Sequence, residues 1–102
     1  HLSLSCQAKV ILMDYRLAPE HPFPAALDDV LAVYSQLLSK KQNHQSLFIA
    51  GDSAGGGLVL STLLALKDQQ KILPSGAICF SPWTDLALTS SSVNDNRDHD
   101  VL

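Results

Sequence analysis

A serine between two glycines lies near the middle of the chain, where the spacing fits an activated nucleophile. Gly51, Ser53 and Gly55 form the pattern G-x-S-x-G between two apolar runs. This pattern is typical of a sharp strand-to-helix turn, in which the serine backbone is strained and the hydroxyl projects above a sheet. Both glycines are expected because larger side chains at those positions would collide. The pattern therefore predicts nucleophilic chemistry at Ser53.

The residue after the serine is predicted to assist that chemistry through its backbone. The amide of Ala54 would lie at a helix N-terminus, where the helix dipole favours developing negative charge. We therefore expect the Ala54 N–H to form half of an oxyanion hole. Asp52 precedes the serine, but neighbouring residues on such a turn point in different directions. We expect Asp52 to be structural rather than the acid of a catalytic triad.

Other glycine-rich motifs compete for the same stretch. Gly51 and Gly56 have the spacing of a phosphate-binding loop, but Gly57 and Leu58 stand where that motif needs Lys and Ser or Thr. The dinucleotide-binding pattern G-x-G-x-x-G is also not matched. An ordinary glycine-rich loop between a strand and a helix stays open on the pattern alone.

The sequence around the serine predicts alternating strands and helices that would position it. Buried strands are predicted over 8–14, 46–50 and 77–80, and helices over 25–40 and 58–66, with a polar connection at 42–45. Three prolines within 19–24 predict a shaped loop before the first of these helices. This order predicts an α/β fold with a parallel sheet, and the loops after Asp14, Gly51 and Phe80 are expected at its carboxyl edge.

Composition excludes several classes of protein. The chain has 102 residues, of which 46% are hydrophobic and 17% charged, and its net charge of −3 argues against a nucleic-acid surface. No apolar run approaches the ~20 residues of a membrane span. Cys6 and Cys79 lie far apart without metal-ligand spacing, which indicates free thiols and a cytoplasmic location. The start at His1 rather than Met favours a fragment of a longer protein.

Three blocks of sequence resemble the hormone-sensitive lipase family of α/β-hydrolase esterases. They are DYRLAPEHPFPAALDD at 14–29, GDSAGG at 51–56 and SPWTDL at 81–86. The resemblance implies a partial α/β-hydrolase fold with three strands and two helices of the full sheet. It also implies that residues 1–102 are an internal fragment of a single catalytic domain.

The function implied by the resemblance is that of a serine carboxylesterase acting on small acyl esters. Ser53 would form a covalent acyl-enzyme, and the Ala54 amide would bind the oxyanion. No metal or organic cofactor is implied. Amide or thioester substrates stay open, because the nucleophile turn does not distinguish leaving groups. Position 57 is often asparagine in the family and is glycine here.

The chain lacks other parts of the family's catalytic machinery. It contains no His-Gly-Gly oxyanion motif, and the catalytic acid and histidine of the family follow further downstream. All three are expected outside the chain, so the chain alone is expected to be inactive. Residues 98–100, Asp-His-Asp, are interpreted as a solvated loop rather than as the rest of a triad.

Two further roles are predicted within the family blocks. Arg16 and Glu20 are expected to form an ion pair that fixes the proline-rich loop, in which His21 has a shape-holding role. Trp83 is interpreted as a core or pocket-wall aromatic.

A non-catalytic function is the alternative. Plant gibberellin receptors resemble the same family and retain the serine turn, but they lack the catalytic histidine and bind a ligand without hydrolysing esters. The residue at the downstream histidine position would separate the two functions.

Overall fold

A computed structural model of the chain describes residues 1–40 and 46–99. The predicted connection at 42–45 and the predicted loop residue Asp100 lie outside these ranges. The chain divides between the two ranges into two compact units. The elements in chain order are α1 (Leu2–Ser5), α2 (Ala25–Ser39), β1 (Phe48–Asp52), α3 (Ala54–Asp68), β2 (Gly76–Phe80) and α4 (Ser91–Asp95).

The main element of the first unit is helix α2, which confirms the helix predicted over 25–40. It begins directly after Pro24 and carries Asp28 in its first turn, where the helix dipole favours an acidic side chain. One face of the helix carries an apolar stripe at spacings of three and four residues, with Tyr34 at its centre only 3% exposed. Its other members are half-buried: Ala26, Leu27, Val30, Leu31, Leu37 and Leu38.

The strand predicted over 8–14 is wrong. Residues 9–17 have no regular secondary structure, although the segment is rich in β-branched and apolar side chains. A strand exists only when a neighbouring backbone supplies its hydrogen bonds. None of the described residues of the first unit belongs to a strand. The fold class is therefore α/β with two strands rather than three. Besides the two long helices that were predicted, the structure contains two short helices, α1 and α4.

An ion pair ties this irregular segment to α2, and it is not the pair that the sequence predicted. Arg16 pairs with Asp29 instead of Glu20, with its Nη2 2.7 Å from Oδ1 and its Nε 3.0 Å from Oδ2. The backbone N–H of Arg16 also donates to Oδ2 at 3.0 Å. Such forked contacts are the geometry that a guanidinium offers a carboxylate. They hold the pKa of Asp29 down at about 2, below its ordinary 3.8.

The second unit contains a two-stranded parallel sheet covered on one face by α3. Strands β1 and β2 pair in register from Phe48 opposite Gly76 to Asp52 opposite Phe80. The predicted second and third strands are thus confirmed, the second shifted two residues toward the serine. Helix α3 buries one stripe at spacings of three and four residues, formed by Gly56, Val59, Thr62 and Leu66.

The other surfaces of this unit remain apolar and exposed. Phe48, Ile78 and Phe80 lie on the sheet face opposite α3 and are 60%, 47% and 53% exposed. Leu60 and Leu64, on the outer side of α3, are 37% and 62% exposed. No helix within the described ranges is long and apolar enough to cross a membrane.

The Arg16–Asp29 pair predicts a specific pH dependence of stability in a longer protein that contains this sequence. The pKa of Asp29 is lower in the folded state than its ordinary 3.8, so the pair stabilises the fold above about pH 4. This contribution is lost as the pH falls toward 2. Asp29→Asn should therefore lower the free energy of unfolding at pH 7, and its difference from wild type should shrink between pH 4 and pH 2.

Urea unfolding at pH 7, 5, 4, 3 and 2 measures this difference. Asp28→Asn is the matched control, because it removes a neighbouring exposed carboxylate that is not paired with Arg16. Equal effects of the two substitutions at every pH would contradict the assignment of the pair.

Candidate active site

Ser53 is the only residue between the end of β1 and the start of α3. Its backbone has φ 52° and ψ −116°, a conformation that residues with a side chain rarely adopt. Such strain persists only where surrounding contacts enforce it, and it concentrates at functional sites. The predicted strand–turn–helix arrangement is thus observed, with the serine at its apex.

Backbone hydrogen bonds from two directions hold this conformation. The Ser53 N–H donates to the Phe80 carbonyl at 2.9 Å, and the Trp83 N–H donates to the Ser53 carbonyl at 2.9 Å. The Ser53 carbonyl also accepts the first helical bond of α3, from the Gly57 N–H at 3.1 Å. The loops after β1 and β2 therefore meet at the carboxyl edge of the sheet, as predicted for these two. The third predicted loop, after Asp14, follows no strand in the described residues.

The close packing of the turn depends on Gly51. A Cβ at Gly51 would overlap the carbonyl of Gly55, since the end of β1 runs directly against the first turn of α3. The expectation that Gly55 is needed for the same reason is wrong. A Cβ at Gly55 would have no neighbour within 4 Å outside its own helix.

Gly57 is a residue of the site that the motif did not reveal. A Cβ at this position would overlap the carbonyl oxygen of Trp83. The absence of a side chain therefore lets the loop after β2 approach α3 closely enough for Trp83 to bond to Ser53. The sequence carries no local signal for this requirement, because the two positions are 26 residues apart.

The Ala54 amide lies at the N-terminus of helix α3. Ala54 is the first residue of α3, and the first amides of a helix have no acceptor within it. Ser53 and Ala54 are both exposed residues.

The acid and base of a triad do not come together with Ser53 in the described residues. His99 lies in an exposed turn after α4, where its N–H donates to the Asn96 carbonyl at 2.9 Å. None of the hydrogen bonds in the described part of the chain joins Ser53 to a histidine or a carboxylate. Asp52 is exposed at the end of β1.

Other sites for chemistry are weak by comparison. Across residues 1–40 and 46–99, no group of three His, Cys, Asp or Glu side chains could hold a metal ion. An open groove of about 500 Å³ runs between residues 11–16 and α2, but none of its lining residues belongs to the serine turn.

The chain is similar in sequence to a known family and to several known proteins. A family model described as the alpha/beta hydrolase fold matches residues 1–102. An esterase of Acinetobacter venetianus is 46% identical over 101 residues, which cover 99% of this chain and 33% of that protein. An acetyl-hydrolase of Streptomyces hygroscopicus is 42% identical over 95 residues, covering 93% of this chain and 32% of that protein.

Solved structures give the same similarity in three dimensions. The crystal structure of an esterase/lipase from an uncultured bacterium superimposes with a TM-score of 0.90 at 48% identity, over 97% of this chain and 34% of that one. An esterase from the bacterial hormone-sensitive lipase family superimposes with a TM-score of 0.80 at 45% identity, over 85% of this chain and 29% of that one. The chain spans about a third of the length of these relatives.

The glycines of the turn predict unequal responses to the same substitution. Gly57→Ala should lower the free energy of unfolding by about 1–3 kcal/mol, because the new methyl group must displace the Trp83 backbone. Gly55→Ala should be neutral or slightly stabilising, since alanine fits the open space and favours a helix by up to ~1 kcal/mol.

Chemical denaturation of the two variants in the longer protein measures this contrast. Gly55→Ala is the matched control, because it places the same methyl group on the same helix two residues earlier. An equal loss of stability in both variants would contradict the close approach of the loop to Gly57.

Proposed function

The chain belongs to the hormone-sensitive lipase family of α/β-hydrolases, and we propose that it is an internal part of the catalytic domain of a serine carboxylesterase. The observation that carries this proposal is the strained backbone of Ser53 at the junction of β1 and α3. Strain at a serine beside an unpaired helical amide is the arrangement that nucleophilic acyl transfer needs. Relatives named esterase and acetyl-hydrolase support the same chemistry.

In the proposed reaction, the Ser53 Oγ attacks the carbonyl carbon of an ester. The carbonyl oxygen becomes an oxyanion that accepts a hydrogen bond from the Ala54 N–H. Collapse of this tetrahedral intermediate breaks the bond to the alcohol and leaves an acyl group on Ser53. Water then attacks the acyl-enzyme, releases the carboxylic acid and restores the serine.

We propose that proton transfer in both steps uses residues outside this chain. The serine proton must pass to a general base, and an acid must orient that base. The described residues bring neither group to Ser53. A histidine, its acid and a His-Gly-Gly oxyanion loop from the rest of the domain would complete the site.

Small acyl esters are the proposed substrates, and the cytoplasm is the proposed location. The acetyl-hydrolase relative is consistent with a short acyl group. Cys6 and Cys79 are both free thiols, which a reducing compartment favours.

The proposal predicts that Ser53 reacts covalently with a serine-directed phosphonate in the longer protein. Ser53→Ala should abolish this labelling and lower kcat for a short-chain nitrophenyl ester on the order of 10⁴-fold or more, because the acyl-enzyme cannot form. Mass spectrometry of the labelled peptide and steady-state hydrolysis measure the two effects.

Ser61→Ala is the matched control for this experiment. Ser61 lies two turns further along α3, where its hydroxyl donates to the Gly57 carbonyl at 3.1 Å. Its loss should leave labelling intact. A wild-type protein that binds a ligand but is never labelled would favour a non-catalytic, receptor-like function instead.

A further inference from the structure

The last residue of β2 and the loop that follows it bond to the two peptide groups of Ser53. Phe80 accepts the Ser53 N–H and Trp83 donates to the Ser53 carbonyl, each at 2.9 Å. These bonds fix the two peptide groups whose rotation sets φ and ψ of the serine. The backbone conformation of Ser53 therefore depends on where residues 80–83 lie.

Trp83 is itself held by contacts on its side chain and its backbone. Its indole Nε1–H donates to the Asp85 carbonyl at 3.1 Å. Its own carbonyl lies against Gly57, at a place where any side chain would overlap it. Trp83 therefore contacts α3 through its backbone carbonyl and Asp85 through its indole N–H.

The Asp85 carboxylate organises the chain that follows. Its Oδ2 accepts the backbone N–H groups of Thr89 and Ser90 at 2.7 and 2.8 Å, and the Thr89 hydroxyl lies 3.2 Å from both oxygens. Hydrogen bonds of this kind favour the charged carboxylate, and they lower the pKa of Asp85, with the Ser90 N–H as the largest cause. The segment from Asp85 to Ser90 is closed into a turn by these side-chain bonds together with the backbone bond from the Leu88 N–H to the Asp85 carbonyl at 3.2 Å.

We propose that Asp85 is a positioning residue for the nucleophile, acting through Trp83 on the backbone of Ser53. This inference rests on the proposed esterase function. The carboxylate fixes the turn at 85–90, the turn fixes the carbonyl that receives the indole N–H, and Trp83 then holds the serine carbonyl. Asp85 touches no reacting atom in this arrangement.

A positioning role has a distinct kinetic consequence. Small displacements of a nucleophile reduce the rate of the chemical step strongly, because the reacting atoms must be aligned within a narrow range. Substrate binding depends on other surfaces and should change little. Loss of the Asp85 carboxylate should therefore lower kcat per active site while KM stays nearly constant.

The test uses Asp85→Asn in the longer esterase, with active sites counted by phosphonate titration. Asparagine keeps the size of the side chain but lacks the charge, so the hydrogen bonds to Thr89 and Ser90 weaken. We expect kcat per titrated site for a short-chain nitrophenyl ester to fall by about 5- to 100-fold, with KM changed less than about threefold.

Asp95→Asn is the control, since Asp95 is an exposed carboxylate at the end of α4 with no side-chain hydrogen bond to another described residue. It should match wild type. If Asp85→Asn only reduces the number of titratable sites and leaves kcat per site within about twofold of wild type, Asp85 has a merely structural role and the proposal is overturned.

Trp83→Phe keeps the test decisive if Asp85→Asn does not fold. Phenylalanine keeps an aromatic side chain but removes the indole N–H that donates to the Asp85 carbonyl. It should lower kcat per site in the same direction, and an unchanged value would overturn the proposal. A wild-type protein without labelling at Ser53 contradicts the esterase function and the positioning role with it, whereas labelled wild type with unchanged variants contradicts the positioning role alone.

Discussion

The strained backbone of Ser53 is the constraint on which the rest of the second unit depends. A left-handed φ at a residue with a side chain costs of the order of 1–3 kcal/mol and needs surrounding contacts to enforce it. Strand β1 ends directly before the serine and α3 begins directly after it, while the last residue of β2 and the loop that follows bond to its two peptide groups. The parallel pairing of β1 and β2 makes this possible, because it places their carboxyl ends side by side.

The two units differ in how closely their sequences determine their structure. Around the serine, contiguous residues carry the information, so Gly51 and Ser53 predict the turn and the flanking apolar runs predict a strand and a helix. The segment at 8–14 has the composition of a strand and forms none, because a strand depends on a partner backbone that composition does not encode.

Contacts between distant residues escaped prediction for a different reason. Asp29 is 13 residues from Arg16 in the sequence. It also lies near the start of α2, where the helix dipole alone would explain an acidic side chain. Only the folded chain shows that its carboxylate accepts the guanidinium. The same holds for Asp85, which lies in a recognisable block but reveals its hydrogen bonds to Thr89 and Ser90 only in three dimensions.

The contact between Gly57 and the Trp83 carbonyl has a consequence for how such sequences diverge. Position 57 and the path of the backbone at 81–83 cannot change independently, since a side chain at 57 occupies the space of that carbonyl. A side chain at this position therefore requires residues 81–83 to lie further from α3 than they do here. Position 57 and the loop at 81–83 should therefore co-vary. Residues 81–83 of this chain should not fit a related protein that has a side chain at position 57 unless glycine is introduced there as well.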